Sequence, residues 1–113
     1  MKQMQKDTER KIAQLQLIEQ NLQNALLQKQ RFQSELFEIE NALKEIDNAE
    51  EVYKIVGNIM LSKKKEDLKK ELVSKKVVID IRIKNLEREE SKIREKANTL
   101  QKEVIGEIEN DRR

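Results

Sequence analysis

The sequence predicts a mainly α-helical protein, an antiparallel two-helix coiled coil with one β-hairpin between its arms. Apolar residues recur in heptad spacing on both sides of the chain's centre, which indicates two coiled-coil arms. Strand-like residues flank Gly57 at the centre itself, which indicates a hairpin. With 41% charged residues, 3% aromatic residues and no proline, the 113-residue chain suits long amphipathic helices better than a thick core. We predict one domain, with arms at about 4–48 and 65–108 and a hairpin at 52–63.

The first arm carries a seam of ten positions that alternate steps of three and four residues. Nine of the ten are apolar, as in the a and d positions of a coiled coil. The exception, Lys29, has two interpretations: a polar residue that fixes register, or a lysine whose stem packs while its ammonium reaches water. The seam consists of Leu15, Ile18, Leu22, Ala25, Lys29, Phe32, Leu36, Ile39, Leu43 and Ile46.

The second arm has one clean apolar column and one mixed column, in which Lys76 and Glu90 interrupt the seam. Residues 77–83 are rich in β-branched side chains and alternate like a strand. The heptad frame continues unbroken on both sides of them, so we predict helix there. The seven-residue column is Leu72, Ile79, Leu86, Ile93 and Leu100; the mixed column also holds Ile83, Ala97 and Val104.

Two arms of equal length joined by a short connection are expected to fold back antiparallel. Each spans roughly 44 residues, or about 66 Å as a helix. Such a helix is marginal alone in water and is stabilised when its apolar seam is buried against a partner. The second helix is predicted to begin near Lys65, because Glu66 and Asp67 then lie in its first turn, where the helix dipole favours acidic side chains.

The centre of the chain predicts a hairpin with a two-residue type II′ turn, in which Gly57 takes a positive φ. This turn pairs Val56 with Ile59 and makes both faces of the hairpin substantially apolar. A lone two-stranded hairpin is barely stable in water and has two open edges. We therefore expect it to join hairpins of other subunits in a larger sheet or β-barrel. The predicted assembly residues are Val52, Tyr53, Ile55, Val56, Gly57, Ile59, Met60 and Leu61.

Composition argues against several kinds of chemistry. The sequence has neither cysteine nor histidine, which excludes disulfides, thiolate or imidazole metal sites, cysteine nucleophiles and histidine acid–base catalysis. Residues 57–64 depart from the phosphate-loop pattern, because Ser62 stands in place of the second glycine. We predict no enzyme, no catalytic residue, no metal and no cofactor.

Charge and hydropathy likewise give no sign of a nucleic-acid or membrane partner. The net charge is only +2, and interspersed charges are typical of solvated helix faces. The lysines between Lys63 and Lys76 form either such a face or a contact with an acidic partner. No apolar run approaches the length of a membrane span. We predict a cytoplasmic protein.

The two ends of the chain carry apolar residues that are expected to meet at the tip of the coiled coil. Val104 continues the seam, whereas Ile105 and Ile108 fall off it. Apolar residues at fraying ends are often without function. An adaptable, non-specific binder of apolar segments needs such a cluster. The candidate client-binding residues are Met1, Met4, Val104, Ile105 and Ile108.

Nearly the whole chain resembles a beta-class subunit of prefoldin, the archaeal and eukaryotic cochaperone. The resemblance rests on the helix–hairpin–helix order and on four segments: QKQ at 28–30 with Leu36 beyond, EVYKIVG at 51–57, IML at 59–61, and LEREE at 86–90 with Ile93 beyond. In having a single hairpin between its arms, the chain is similar to subunits of the beta class.

The resemblance implies a hexamer of two alpha and four beta subunits, whose joined β-barrels carry six coiled coils. It also implies tips that hold unfolded clients for a group II chaperonin. On this basis we predict an ATP-independent archaeal chaperone that holds clients without folding them. The alternative is a structural coiled-coil tether whose hairpin only oligomerises the chain.

Overall fold

The computed structural model describes residues 2–112, with side chains from Lys6 to Arg112. Helix α1 (Lys2–Asn48) leads into strands β1 (Val52–Val56) and β2 (Ile59–Lys63), and helix α2 (Lys65–Asp111) follows. The predicted fold class, two long helices with a hairpin between them, is confirmed. Neither helix contains a described stretch apolar enough to cross a lipid bilayer.

The ends of the helices follow from local hydrogen bonds. The Ala49 N–H donates to the Ile46 carbonyl at 3.3 Å, a tightened last turn that closes α1. Helix α2 begins where the Leu68 N–H donates to the Lys64 carbonyl at 3.0 Å. Glu66 and Asp67 lie in the first turn of α2, next to its positive dipole end.

The hairpin has the register that its turn predicts. Val56 pairs with Ile59, and the pairing runs antiparallel to Val52 and Lys63. Gly57 has a φ of 60°, in the left-handed region, and no other described residue has a positive φ. A residue with a Cβ would be strained there, because a type II′ turn requires this conformation at its first central position.

Each seam residue of both arms is buried or half-buried, including Lys29, Lys76 and Glu90. The β-branched segment 77–83 is helical, as predicted. Its preference for strand is overridden because Ile79 and Ile83, 6% and 8% exposed, complete the seam.

The chain forms two compact units, and both helices contribute to each. Unit 1 comprises residues 1–29 and 85–113, and unit 2 comprises residues 30–84 with the hairpin. In unit 2, Ile39 joins Ile79 and Ile83 in a cluster bordered by Phe32, Leu36, Leu43 and Leu72. The Arg82 guanidinium lies 5.6 Å from the centre of the Phe32 ring, within the range of a cation–π contact.

Candidate assembly and client-binding surfaces

The hairpin carries the most exposed apolar surface of unit 2. Six of its strand side chains are between 46% and 67% exposed, and they occupy both faces: Tyr53, Ile55 and Met60 on one, Val56, Ile59 and Leu61 on the other. Proteins that stay monomeric rarely expose large continuous apolar patches. Such a patch usually marks a surface that a partner covers. The two strands form a sheet of their own, so each has an edge of unpaired backbone groups.

One side of the hairpin is fixed to α2 at its base. Val52, only 8% exposed, is buried there. The Lys54 ammonium donates to the Glu71 carboxylate, and the Lys63 ammonium lies 3.7 Å from the same carboxylate. The Lys54 hydrogen bond holds the pKa of Glu71 below its ordinary value. These contacts orient the strands relative to α2, while the residues nearer the turn remain open.

The tip, defined as residues 6–11 of α1 and 103–111 of α2 in unit 1, is held by a polar network. The Glu107 carboxylate accepts hydrogen bonds from the Lys11 ammonium and, at 2.7 Å, from the Thr8 hydroxyl. The Lys11 ammonium also lies 3.4 Å from Glu103. The Lys11 bond, followed by the Thr8 bond, holds the pKa of Glu107 below its ordinary value. The same pairing with Glu107 raises the pKa of Lys11.

The predicted client-binding residues occupy different environments at the tip. Val104 is 7% exposed and lies in the seam, whereas Ile105 and Ile108 are 54% and 41% exposed. The exposed pair therefore offers apolar surface while Glu107, between them in sequence, ties the helices together. Met1 and the side chain of Met4 lie outside the described residues.

Other polar and apolar features of unit 1 were not anticipated. A groove of about 670 Å³ beside the seam exposes Leu17, a residue off the heptad frame that is 58% exposed. Sequence alone signalled this residue only as a leucine two positions after the seam residue Leu15. Glu103 and Glu107 are four residues apart and so are neighbours on the surface of α2. This spacing is the sequence feature that could have indicated the polar network at Lys11.

The two polar residues that interrupt the seam in unit 1 pair with each other. The Lys29 ammonium donates to the Glu90 carboxylate at 3.3 Å, and their side chains are 24% and 17% exposed. The Arg94 guanidinium also donates to Glu90 at 3.0 Å. Bonds from Arg94 and then Lys29 hold the pKa of Glu90 below its ordinary value. Sliding one helix along the other by a heptad would separate Lys29 from Glu90. The pair therefore favours the observed register.

Exposed interaction surfaces define the class of this protein. No group of three acidic side chains among the described residues is placed to hold a metal ion. An exposed apolar hairpin with open edges, carried on a two-helix coiled coil, is the architecture of a subunit that joins a larger assembly.

The comparisons with known proteins identify the family. The family model described as prefoldin subunit matches residues 9–110. A prefoldin subunit beta of Archaeoglobus fulgidus is 46% identical over 95 residues, which cover 80% of this chain and 82% of that protein. One from Thermococcus onnurineus is 36% identical over 96 residues, covering 82% and 83%.

A solved structure agrees with the sequence matches. The crystal structure of the prefoldin beta subunit from Thermococcus strain KS-1 superposes with a TM-score of 0.79 at 34% identity, covering 87% of this chain and 89% of that one. This chain therefore belongs to the prefoldin subunit family, a family of chaperone subunits that assemble as hetero-oligomers. The predicted resemblance to the archaeal beta class is confirmed.

Proposed function

We propose that this chain is a subunit of an ATP-independent chaperone that captures unfolded polypeptides at its tips and passes them to a group II chaperonin. The observation that carries the proposal is the exposed pair Ile105 and Ile108 at the tip of a prefoldin-family coiled coil. A bound apolar segment would cover the parts of these two side chains that are exposed.

The assembly that we propose is a hexamer of two alpha-class and four beta-class subunits, built through the hairpins. Ile55 and Ile59 lie on opposite faces of the hairpin and are 67% and 62% exposed. Neighbouring strands would pair with the open edges, and a closed barrel would cover one apolar face. The whole chain would act as one prefoldin domain, with the hairpin for assembly and the arms for capture.

Capture would depend on several weak contacts rather than on one specific pocket. Each tip offers a small apolar surface, and a client that touches two tips gains effective affinity from their linkage. Met1 and Met4 belong to the proposed site by their place in the sequence. Val104 would contribute only where the tip opens, because it is buried in the seam.

Two measurements on the assembled complex test this function. Native mass spectrometry with and without an alpha-class partner gives the stoichiometry, and light scattering of a chemically denatured client gives protection without ATP. We expect the mixed hexamer to delay aggregation. A complex of full mass that gives no delay would favour the structural tether instead.

Release of the bound client to a group II chaperonin tests the transfer step, and cell fractionation tests the predicted cytoplasmic location.

A further inference from the structure

Helix α2 carries a second exposed apolar surface close to its start. We define the outer patch as Val73, Val77, Val78 and Ile81, which are between 46% and 54% exposed. Residues four apart on a helix are neighbours on its surface, so Val73, Val77 and Ile81 form one row with Val78 beside it. The four side chains therefore make one continuous surface rather than scattered apolar residues.

A partner that covers the exposed side of α2 would explain why this segment is so rich in β-branched residues. Ile79 and Ile83 point into the seam, while Val77 and Ile81 lie on the exposed side. A helix that is apolar on opposite sides is expected to be covered on both. β-Branched residues also form helix less readily than the alanine or glutamate that a solvated face would accept. No large apolar side chain between residues 82 and 103 of the described chain is exposed, so the feature is confined to unit 2.

The outer patch lies within reach of a subunit already joined through the hairpin. Val73 and Ile81 follow the first residue of α2, Lys65, by about 12 and 24 Å of helix. The hairpin and the patch belong to the same compact unit. The contact described next rests on the hairpin-based assembly proposed above, and it would extend that interface along the helix.

The charges of unit 2 indicate what covers the patch. Residues 63–84 contain nine basic and four acidic side chains, whereas residues 30–51 contain seven acidic and two basic ones. The ion pairs Lys69–Asp47 and Lys76–Glu40 use some of these charges within the chain. In the part of the chain that the structure describes, the carboxylates Glu38 and Glu45 on α1 make no ion pair, and neither do Lys70 and Lys84 on α2.

The outer side of α1 in unit 2 offers the complementary surface. Its one large exposed apolar side chain is Phe37, 65% exposed among the described residues 30–48. Phe37 borders a shallow depression with Glu38 and the polar residues Gln30, Gln33 and Ser34. Because the outer sides of two paired helices face away from each other, one copy cannot bring its own Phe37 to its own outer patch.

We propose that the outer patch of α2 packs against the outer side of α1, around Phe37, in a second copy of this chain. The lysine-rich border of one copy would face the glutamates of the next. Such a contact is heterologous, because each copy uses a different surface from its neighbour.

Cross-linking in the assembled complex tests the contact directly. The sequence has no cysteine, so one copy made as Phe37→Cys and another as Val77→Cys carry a single thiol each. The two variants are co-assembled with the partner subunit and treated with a short bismaleimide. We expect a covalent dimer that contains one copy of each variant. The matched control replaces Val77→Cys with Arg88→Cys, also exposed on α2, and should give no such dimer.

Native mass spectrometry distinguishes failure of this contact from failure of the hairpin assembly. An intact complex by native mass spectrometry without the mixed dimer would overturn the proposal. The absence of the mixed dimer overturns the proposal whether the Val77→Cys thiol reacts freely with a maleimide or is shielded by another surface. A parent chain that stays monomeric would overturn the proposed assembly and the contact with it.

A second pair of variants measures the contact by affinity. Val77→Glu with Ile81→Glu should leave helicity unchanged, because glutamate forms helix at least as readily, yet weaken subunit affinity about tenfold or more, as expected for charging an interface centre. Asn85→Glu with Ser91→Glu adds the same charge on exposed positions outside the patch. Equal dissociation of the two double variants on dilution would contradict the proposed packing.

Discussion

Replacing Ile105 and Ile108 by serine should abolish much of the client binding while leaving the tip folded. Deleting residues 104–113 would be a poorer test, because it also removes buried Val104 and Glu107, which bonds to Thr8 and Lys11. The two isoleucines are 54% and 41% exposed and make none of those contacts. The double substitution therefore isolates the exposed apolar surface.

The expected magnitude follows from the area that a client would cover. Burying a whole isoleucine side chain contributes about 1.5–3 kcal/mol, so the exposed half of each contributes about 1 kcal/mol. Two residues give about 2 kcal/mol for each tip, or roughly thirtyfold in affinity. A client held by two tips loses more, since both contacts weaken together.

The assay is the aggregation of a denatured client followed by light scattering, with client affinity from fluorescence anisotropy. Leu27→Ser, which alters a 59% exposed residue away from the tip, is the matched control. Salt should change capture little, because apolar burial is hardly screened, whereas capture by charge would weaken steeply. If the Ile105 and Ile108 variant protects fully while Leu27→Ser does not, the client site lies on the flank of the arm.

Three further predictions concern assembly and stability. Ile55→Asp with Ile59→Asp should dissociate the complex because both hairpin faces then carry charge, with helicity by circular dichroism retained; an unchanged mass would refute assembly through the hairpin. Leu86→Ala should destabilise the coiled coil by about 2–4 kcal/mol in denaturant melts, because Leu86 is buried in the seam, and Leu27→Ala should cost far less; equal losses would show that the seam is misassigned. Glu107→Gln should lower the melting temperature at pH 7, because Glu107 has a lowered pKa when folded and stabilises the tip only while it is ionised. The difference in melting temperature from the parent should vanish as the pH falls below the ordinary glutamate pKa of 4.5 and through the lowered pKa of the folded state. A difference that persists in acid would refute the ionic role.

The fold could be predicted because each element leaves a periodic or local signal. Heptad spacing identifies the side of α1 and α2 that is buried, and the turn at Gly57 fixes the register from Val56 and Ile59 outward. The ambiguous segment 77–83 was resolved by the frame around it, since a break would have shifted Ile79 out of the seam.

The pairings between the arms could not be predicted, because they depend on how the hairpin positions one helix against the other. Lys29 and Glu90 each appeared as a defect in its own arm, and only the fold brings them together. The network around Glu107 depends on the same geometry. The outer patch was missed for a different reason: the heptad frame identifies the seam side of α2 and gives no sign of whether a partner covers the side that carries Ile81.

From the sequence distances between paired residues we also expect an order in which the chain folds. Asp47 and Lys69 are 22 residues apart, Lys29 and Glu90 are 61 apart, and Thr8 and Glu107 are 99 apart. Closing a short loop costs less entropy than closing a long one, so the arms zip outward from the hairpin and the tip forms last. On a ribosome, α1 is synthesised before any of its seam partners exist. Until α2 follows, the nascent subunit presents an uncovered apolar stripe, the kind of surface that is prone to aggregate.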